Sequence, residues 1–178
     1  MFKLLTVPNP KLRIEAEPVD DFGPETIALI DGAIELMYAQ EGAGLAAPQF
    51  GVHKKFFVMD IPESREDEKS QLQVFINPEI ISQSEEQVVL TEGCLSVPGV
   101  SAEVTRSKEI RVRYLDRDFK SRERDFFGWQ ARCILHEYDH LVGKLYVDHL
   151  PPMKRKMLLK ESARYQREQN QENQANES

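Results

Sequence analysis

The chain has 178 residues, 30 acidic and 23 basic, for a net charge of −7 and a pI near 5.2. That length gives about one domain, large enough to bury a core without disulfides. The acidic balance argues against non-specific nucleic-acid binding, the two cysteines against a disulfide-rich secreted scaffold, and 40% apolar with 30% charged residues against disorder or a fibre. The opening MFKLLTVPNPKLR lacks the apolar core of a signal peptide, and no stretch approaches the ~20 apolar residues that span a bilayer. We expect a soluble monomer with no membrane partner, in the cytoplasm of a bacterium or a similar organelle compartment.

Residues 24–40 read as a helix, with Pro24 in the first turn and Ile27, Ile30, Ile34 and Met37 at helical spacing. A glycine-containing segment follows from Glu41 to Gln49. Residues 55–60 and 73–77 read as buried strands, and the charged stretch 61–70 between them as a surface loop. Residues 86–90 form a further strand running into Thr91-Glu92-Gly93-Cys94-Leu95-Ser96. Apolar and basic residues alternate over 110–115, a half-buried strand, and after a turn at Asp116–Asp118 residues 124–127 pair back as a hairpin. Residues 128–142 read as a second helix that stops at Gly143. A last helix starts near Pro151 or Pro152, with Leu158 and Met157 as its packing residues, and its polar end QNQENQANES is expected to fray.

The sharpest signal is His136-Glu137-Tyr138-Asp139-His140. On a helix four residues turn through about 400° and rise about 6 Å, so both histidines share one face and can reach one metal ion. Glu137 sits beside them, placed to exchange a proton with a coordinated water rather than to bind the ion. Apolar Ile134, Leu135, Leu141 and Val142 flank the motif, which implies a buried helix whose charged side chains need partners.

A catalytic centre of this kind needs a third protein ligand. Cys94, Cys133, His53, His149 and several carboxylates are candidates. Cys133 shares the helix face of His136 but lies about 10 Å along the axis from His140, and its simpler reading is a buried apolar thiol. His53 and His149 read as surface histidines. Cys94 follows a strand at a glycine-containing bend, from which a thiolate is readily presented. A Cys94, His136, His140 set would suit Zn²⁺ or Fe²⁺.

Three segments together, Gly42-Ala43-Gly44-Leu45-Ala46-Ala47-Pro48-Gln49, Glu92-Gly93-Cys94-Leu95-Ser96 and His136-Glu137-Tyr138-Asp139-His140-Leu141, resemble the three signature motifs of the peptide deformylases in order and spacing, over about residues 4–152. The resemblance implies hydrolytic removal of the formyl group from the N-terminal formyl-methionine of nascent polypeptides. It implies one divalent ion, usually Fe²⁺, with Zn²⁺ or Ni²⁺ as other occupants, held by Cys94, His136 and His140. It makes Glu137 the general acid/base, Gln49 and the Leu95 N–H the donors to the oxyanion, and Ala43, Gly44 and Gly93 main-chain partners of an extended substrate. Glu92 supports the ligands from behind, and Asp139 either neighbours a ligand imidazole or is a surface carboxylate. The implied fold is α+β, with antiparallel or mixed sheets packed around the central histidine-bearing helix and helices at both ends. It divides into one catalytic domain over 1–150 and a helix with a polar tail over 151–178.

The chain departs from the family pattern at three positions. Leu135 stands where a Gln is usual, Ser101 where many members have a substrate-contacting Arg, and Arg132 where many have an apolar residue near the methionine pocket. Arg132 is expected on the pocket rim, contacting substrate, or as a snorkelling side chain on an exposed face. Two other readings are weaker. A peptidase of the same motif leaves the Cys94 segment unexplained. A dinucleotide-binding reading of Gly42–Ala47 fails because the fingerprint must follow a strand and open a helix. Residues 153–168 carry six basic and two acidic side chains, a local net charge of +4 against −11 for the rest. A basic helix on an acidic enzyme suggests an anionic partner, and the resemblance points to the ribosome.

Overall fold

The computed structural model describes residues 2–63 and 69–176. Helix α1 (Pro24–Ala39) opens on Pro24, whose missing N–H costs nothing in the first turn. It buries Thr26, Ile30, Ala33 and Met37. The stripe is therefore rotated from the one expected: Ile27 is exposed, and Ala33 is fully buried in the core against the sheet. The loop expected at 61–70 lies partly outside the described residues. On either side of it run β2 (Phe56–Asp60) and β3 (Leu72–Gln83).

These two strands join β1 (Gly44–Ala46), β6 (Glu109–Leu115) and β7 (Ser121–Phe127) in an antiparallel sheet of order β1-β2-β3-β6-β7. Strand β3 runs past the expected end at 77. Pro78, which has no N–H to give a ladder, falls in a register shift between Ile76 and Glu79. The remaining strands, β4 (Gln87–Cys94) and β5 (Val97–Ser107), form a separate antiparallel hairpin turning at Leu95-Ser96. Neither β1 nor β5 was expected. The first is three residues long, and the second opens on Val97-Pro98-Gly99, which reads locally as loop.

Helix α2 (Gly128–Leu141) lies between the five-stranded sheet and the hairpin. It presses Ala131, Ile134, Leu135 and Leu141 into a core built on aromatic rings. Phe75 stacks on Phe57 with centroids 4.7 Å apart and contacts Tyr114 and Phe126 at 4.3 and 5.6 Å. The helix stops where expected. Gly143 takes φ +72°, and a Cβ there would stand 2.5 Å from the Arg13 carbonyl oxygen, so no other residue fits without a shift.

The last helix, α3 (Pro152–Asn176), continues through the polar stretch expected to fray. It docks on the hairpin and the N-terminal segment. Leu158 and Ser162 are buried, Ser162 Oγ donates to the Pro98 carbonyl (2.7 Å), and Gln166 links to Thr6 and Val7. Met157, expected to pack beside Leu158, is 67% exposed.

Candidate active site

Between the sheet and the hairpin lies a cavity of about 630 Å³. One wall is Gly42, Ala43 and Gly44, leading into β1. The other is Glu92, Gly93 and Cys94, at the end of β4. Because β1 ends the five-stranded order and, among the described residues, β4 pairs only with β5, both walls are strand edges. Main-chain N–H and C=O groups on an unpaired edge can take up an extended peptide. Glycine at 44 is required here: a Cβ would stand 2.7 Å from both Cys133 Sγ and Glu137 Oε1.

At the inner end of the cavity, donor atoms of Cys94, His136 and His140 all lie within 4.8 Å of one another. Cys94 Sγ is 3.4 Å from His140 Nε2. Such spacings suit a tetrahedral ion, with metal–nitrogen bonds of about 2.0–2.1 Å and metal–sulfur bonds of about 2.3 Å. His136 Nδ1 is 2.9 Å from Glu92 Oε2, so its Nε2 is the nitrogen left for an ion, and the ring stacks on Tyr146 with centroids 6.0 Å apart. Burial opposes a charge on His136, but Cys94 and Glu92 overcome it and hold its pKa well above the usual value. Burial and the charge of His136 push His140 well below it.

Glu137 lines the same cavity and is buried, its Oε2 without a hydrogen-bond partner among the described residues. Burial raises its pKa to about 7, the protonation balance a general base needs near neutrality. Gln49 sits in the short helical turn Ala47–Phe50 after β1. Ala46 N–H donates to Gln49 Oε1 at 2.8 Å, which turns the amide nitrogen toward Ser96 Oγ (3.1 Å) and Cys94 Sγ (3.7 Å). The turn is capped through Oε1 alone, which leaves Nε2 directed at the Cys94–Ser96 end of the hairpin. Leu95 is the first residue of the turn linking Cys94 to Val97.

Behind these donor atoms Glu92, expected there as a support, sits in a buried ionic cluster with two arginines whose part the sequence did not disclose. Glu92 is 5% exposed and receives Arg106 Nε at 2.6 Å, Arg106 Nη2 at 3.0 Å and Arg132 Nη1 at 2.8 Å. Burial alone would raise its pKa, but hydrogen bonds from His136 and Arg106 hold it well below the usual carboxylate range. Arg106 also donates to Asp139 Oδ2 (2.8 Å), which lies 2.7 Å from His149 Nε2. Asp139 is therefore no free surface carboxylate: it acts on the His140 ring through its charge and is paired with Arg106 and His149. It anchors Arg106. The inward alternation of Ala102, Val104 and Arg106 along β5 was the signal available for this arginine.

The other sequence candidates are not among the three clustered donors. Cys133 lines the cavity, and burial with the nearby Glu137 charge pushes its thiol up, as befits an inert side chain. His53 Nε2 meets the Lys11 carbonyl, away from the cluster. Leu135 packs in the core, and Ser101 is exposed opposite Gly93 in the hairpin. Arg132 lines the cavity but is 4% exposed, so it is not a snorkelling surface residue, and its guanidinium is taken up by Glu92, Val88 and Val104.

Comparison with known proteins matches the polypeptide deformylase family over residues 1–156. The chain is 48% identical over 167 residues to peptide deformylase 2 of Xanthomonas campestris pv. campestris, covering 92% of this chain and 95% of that protein. It superposes on the crystal structure of peptide deformylase from Ehrlichia chaffeensis with a TM-score of 0.89 at 37% identity, covering 95% of this chain and 98% of the other. The same Ehrlichia protein in complex with actinonin gives 0.87, again at 37% identity, over 94% and 98% of the two chains. With the family match spanning most of the sequence and a relative near half-identity over almost its whole length, the chain belongs to the polypeptide deformylase family.

Proposed function

We propose that the chain is a peptide deformylase, hydrolysing the formyl group from the N-terminal formyl-methionine of nascent polypeptides and releasing formate. The observation that carries this is the Cys94, His136, His140 donor cluster at the inner end of a cavity walled by two strand edges, with Glu137 between them. Cys94, His136 and His140 hold the divalent ion, Fe²⁺ natively and Zn²⁺ or Ni²⁺ as substitutes. Bound there, it supplies Lewis acidity to the formyl carbonyl and lowers the pKa of a coordinated water.

The remaining chemistry belongs to the side chains. Main-chain groups of Ala43, Gly44 and Gly93 hold the substrate as an added strand. Glu137 accepts a proton from the attacking water as its oxygen joins the formyl carbon. Gln49 Nε2 and the Leu95 N–H donate to the carbonyl oxygen as negative charge builds there. Glu137 then delivers the proton to the leaving nitrogen as the C–N bond breaks, giving formate and a free α-amine. Fe²⁺-loaded protein kept anaerobic is expected to release formate from formyl-Met-Ala-Ser. Gln49→Ala is expected to lower kcat/KM by roughly 10²–10³-fold, the usual loss for one oxyanion donor. Folded, metal-loaded protein that releases no formate overturns the reading.

The catalytic unit is residues 1–150, and the protein acts as a monomer in the cytoplasm, where nascent chains emerge. Residues 151–178 then serve docking. All six basic side chains of residues 153–168 are exposed on α3, which supports contact with an anionic surface, and ribosomal RNA is the partner proposed. Replacing Lys154, Lys156 and Lys160 by Glu is expected to abolish co-sedimentation with ribosomes at low salt while formyl-peptide turnover persists. Undiminished co-sedimentation rules the helix out.

A further inference from the structure

We propose that Arg132 is a positioning residue: through Glu92 it locks the helix bearing two metal donors to the strand bearing the third. The inference rests on reading Cys94, His136 and His140 as the donor set. His136 and His140 stand on α2, and Cys94 ends β4 in the separate hairpin. Side chains must therefore fix the distance between the two elements.

Arg132 lies one helical turn before His136, and its guanidinium crosses to the hairpin. Nη1 donates to Glu92 Oε1 (2.8 Å) and to the Val104 carbonyl of β5 (2.7 Å), and Nη2 donates to the Val88 carbonyl of β4 (2.6 Å). One side chain of α2 thus grips both strands of the hairpin that presents Cys94. A planar fork with fixed donor directions does this; a flexible ammonium does not.

The grip reaches His136 through Glu92. An ionised carboxylate offers about four acceptor positions. Here Oε1 takes Arg106 Nε and Arg132 Nη1, while Oε2 takes Arg106 Nη2 and faces His136 Nδ1. Every position is in use, so the carboxylate cannot rotate without breaking a bond, and the imaginable tilt of the His136 ring is restrained with it. Arg132 also balances charge, since Glu92 and Asp139 face two guanidiniums rather than one. With its head committed in this way, Arg132 offers the cavity its wall position rather than a free cation.

The test reads the metal site without turnover. Full-length protein stripped of metal is titrated with Co²⁺, following the thiolate-to-Co²⁺ charge-transfer band that reports Cys94, for wild type, Arg132→Met, Glu92→Gln and the double variant. Arg132→Met is expected to weaken Co²⁺ binding by roughly 10–100-fold, as loss of an outer partner does. The double variant is expected to lose less than the product of the two single losses, because the two residues share a bond while the Arg132 bonds to Val88 and Val104 lie outside that pair. Arg132→Lys is expected to fall between Arg132→Met and wild type, and it carries the same cycle if Arg132→Met does not fold. Affinity within twofold of wild type in Arg132→Met, or losses that multiply in the double variant, overturn the proposal. A wild-type protein lacking the thiolate band overturns the donor set and the proposal together, whereas the band without formate release counts against the function alone.

Discussion

Protein carrying Glu137→Gln is expected to hydrolyse formyl peptides roughly 10²–10⁴-fold more slowly, the usual contribution of a general acid/base. The same substitution is expected to make protein stripped of metal more stable at pH 8. The carboxyl is 4% exposed, and burial raises its pKa from 4.5 to about 7. Between those values the folded state keeps a proton that the unfolded chain has lost, so stability falls as pH rises through the window. A Gln amide has no proton to lose. The gain is absent at pH 4, grows through pH 7, and reaches up to about 3 kcal/mol, at 1.36 kcal/mol per pKa unit. Thermal melts of both proteins at pH 4 and pH 8 measure it. Equal melting-temperature differences at the two pH values would falsify the assignment. The proposed proton carrier is thus a burden on the fold, the usual trade between activity and stability.

Glu92→Ala works in the opposite direction. Removing this carboxylate leaves the Arg106 and Arg132 guanidiniums buried, each with a side chain only 5% exposed, and Asp139 can compensate only the first. Breaking a buried pair from one side typically costs about 3–5 kcal/mol, because the stranded charge has lost both water and partner. The loss should depend on pH. With the folded pKa held well below the usual range, the Glu92 contribution is fully present above pH 4.5 and is lost as pH falls below it. Urea midpoints are therefore expected to differ widely at pH 7 and to converge toward pH 3. A difference below about 1 kcal/mol at pH 7 would mean that the cluster rearranges around the gap.

Much of the site was legible because its chemistry is local in sequence. Two histidines four residues apart share a helix face whatever surrounds them, and Gly42–Gln49, Glu92–Ser96 and His136–Leu141 each read as motifs on their own stretch of chain. The strand at 55–60 announced itself as a short apolar run, the strand at 110–115 by alternation, and the helix at 128–142 by its glycine stop. Strand β5 did not, because Pro98 and Gly99 open it and an arginine occupies one of its inward positions.

Sequence by itself determined the three donor types, the carboxyl beside them and the helix that spaces two of the three donors. The tertiary structure alone decided that β1 and β4 meet the cavity by their free edges, and that Arg106 and Arg132 both close on Glu92 from 14 and 40 residues away. Burial and charge pairing depend on what the rest of the chain brings near. An arginine four residues before His136 therefore reads as a rim or surface residue in one dimension, and in three it is buried and bonded to Glu92 and both hairpin strands.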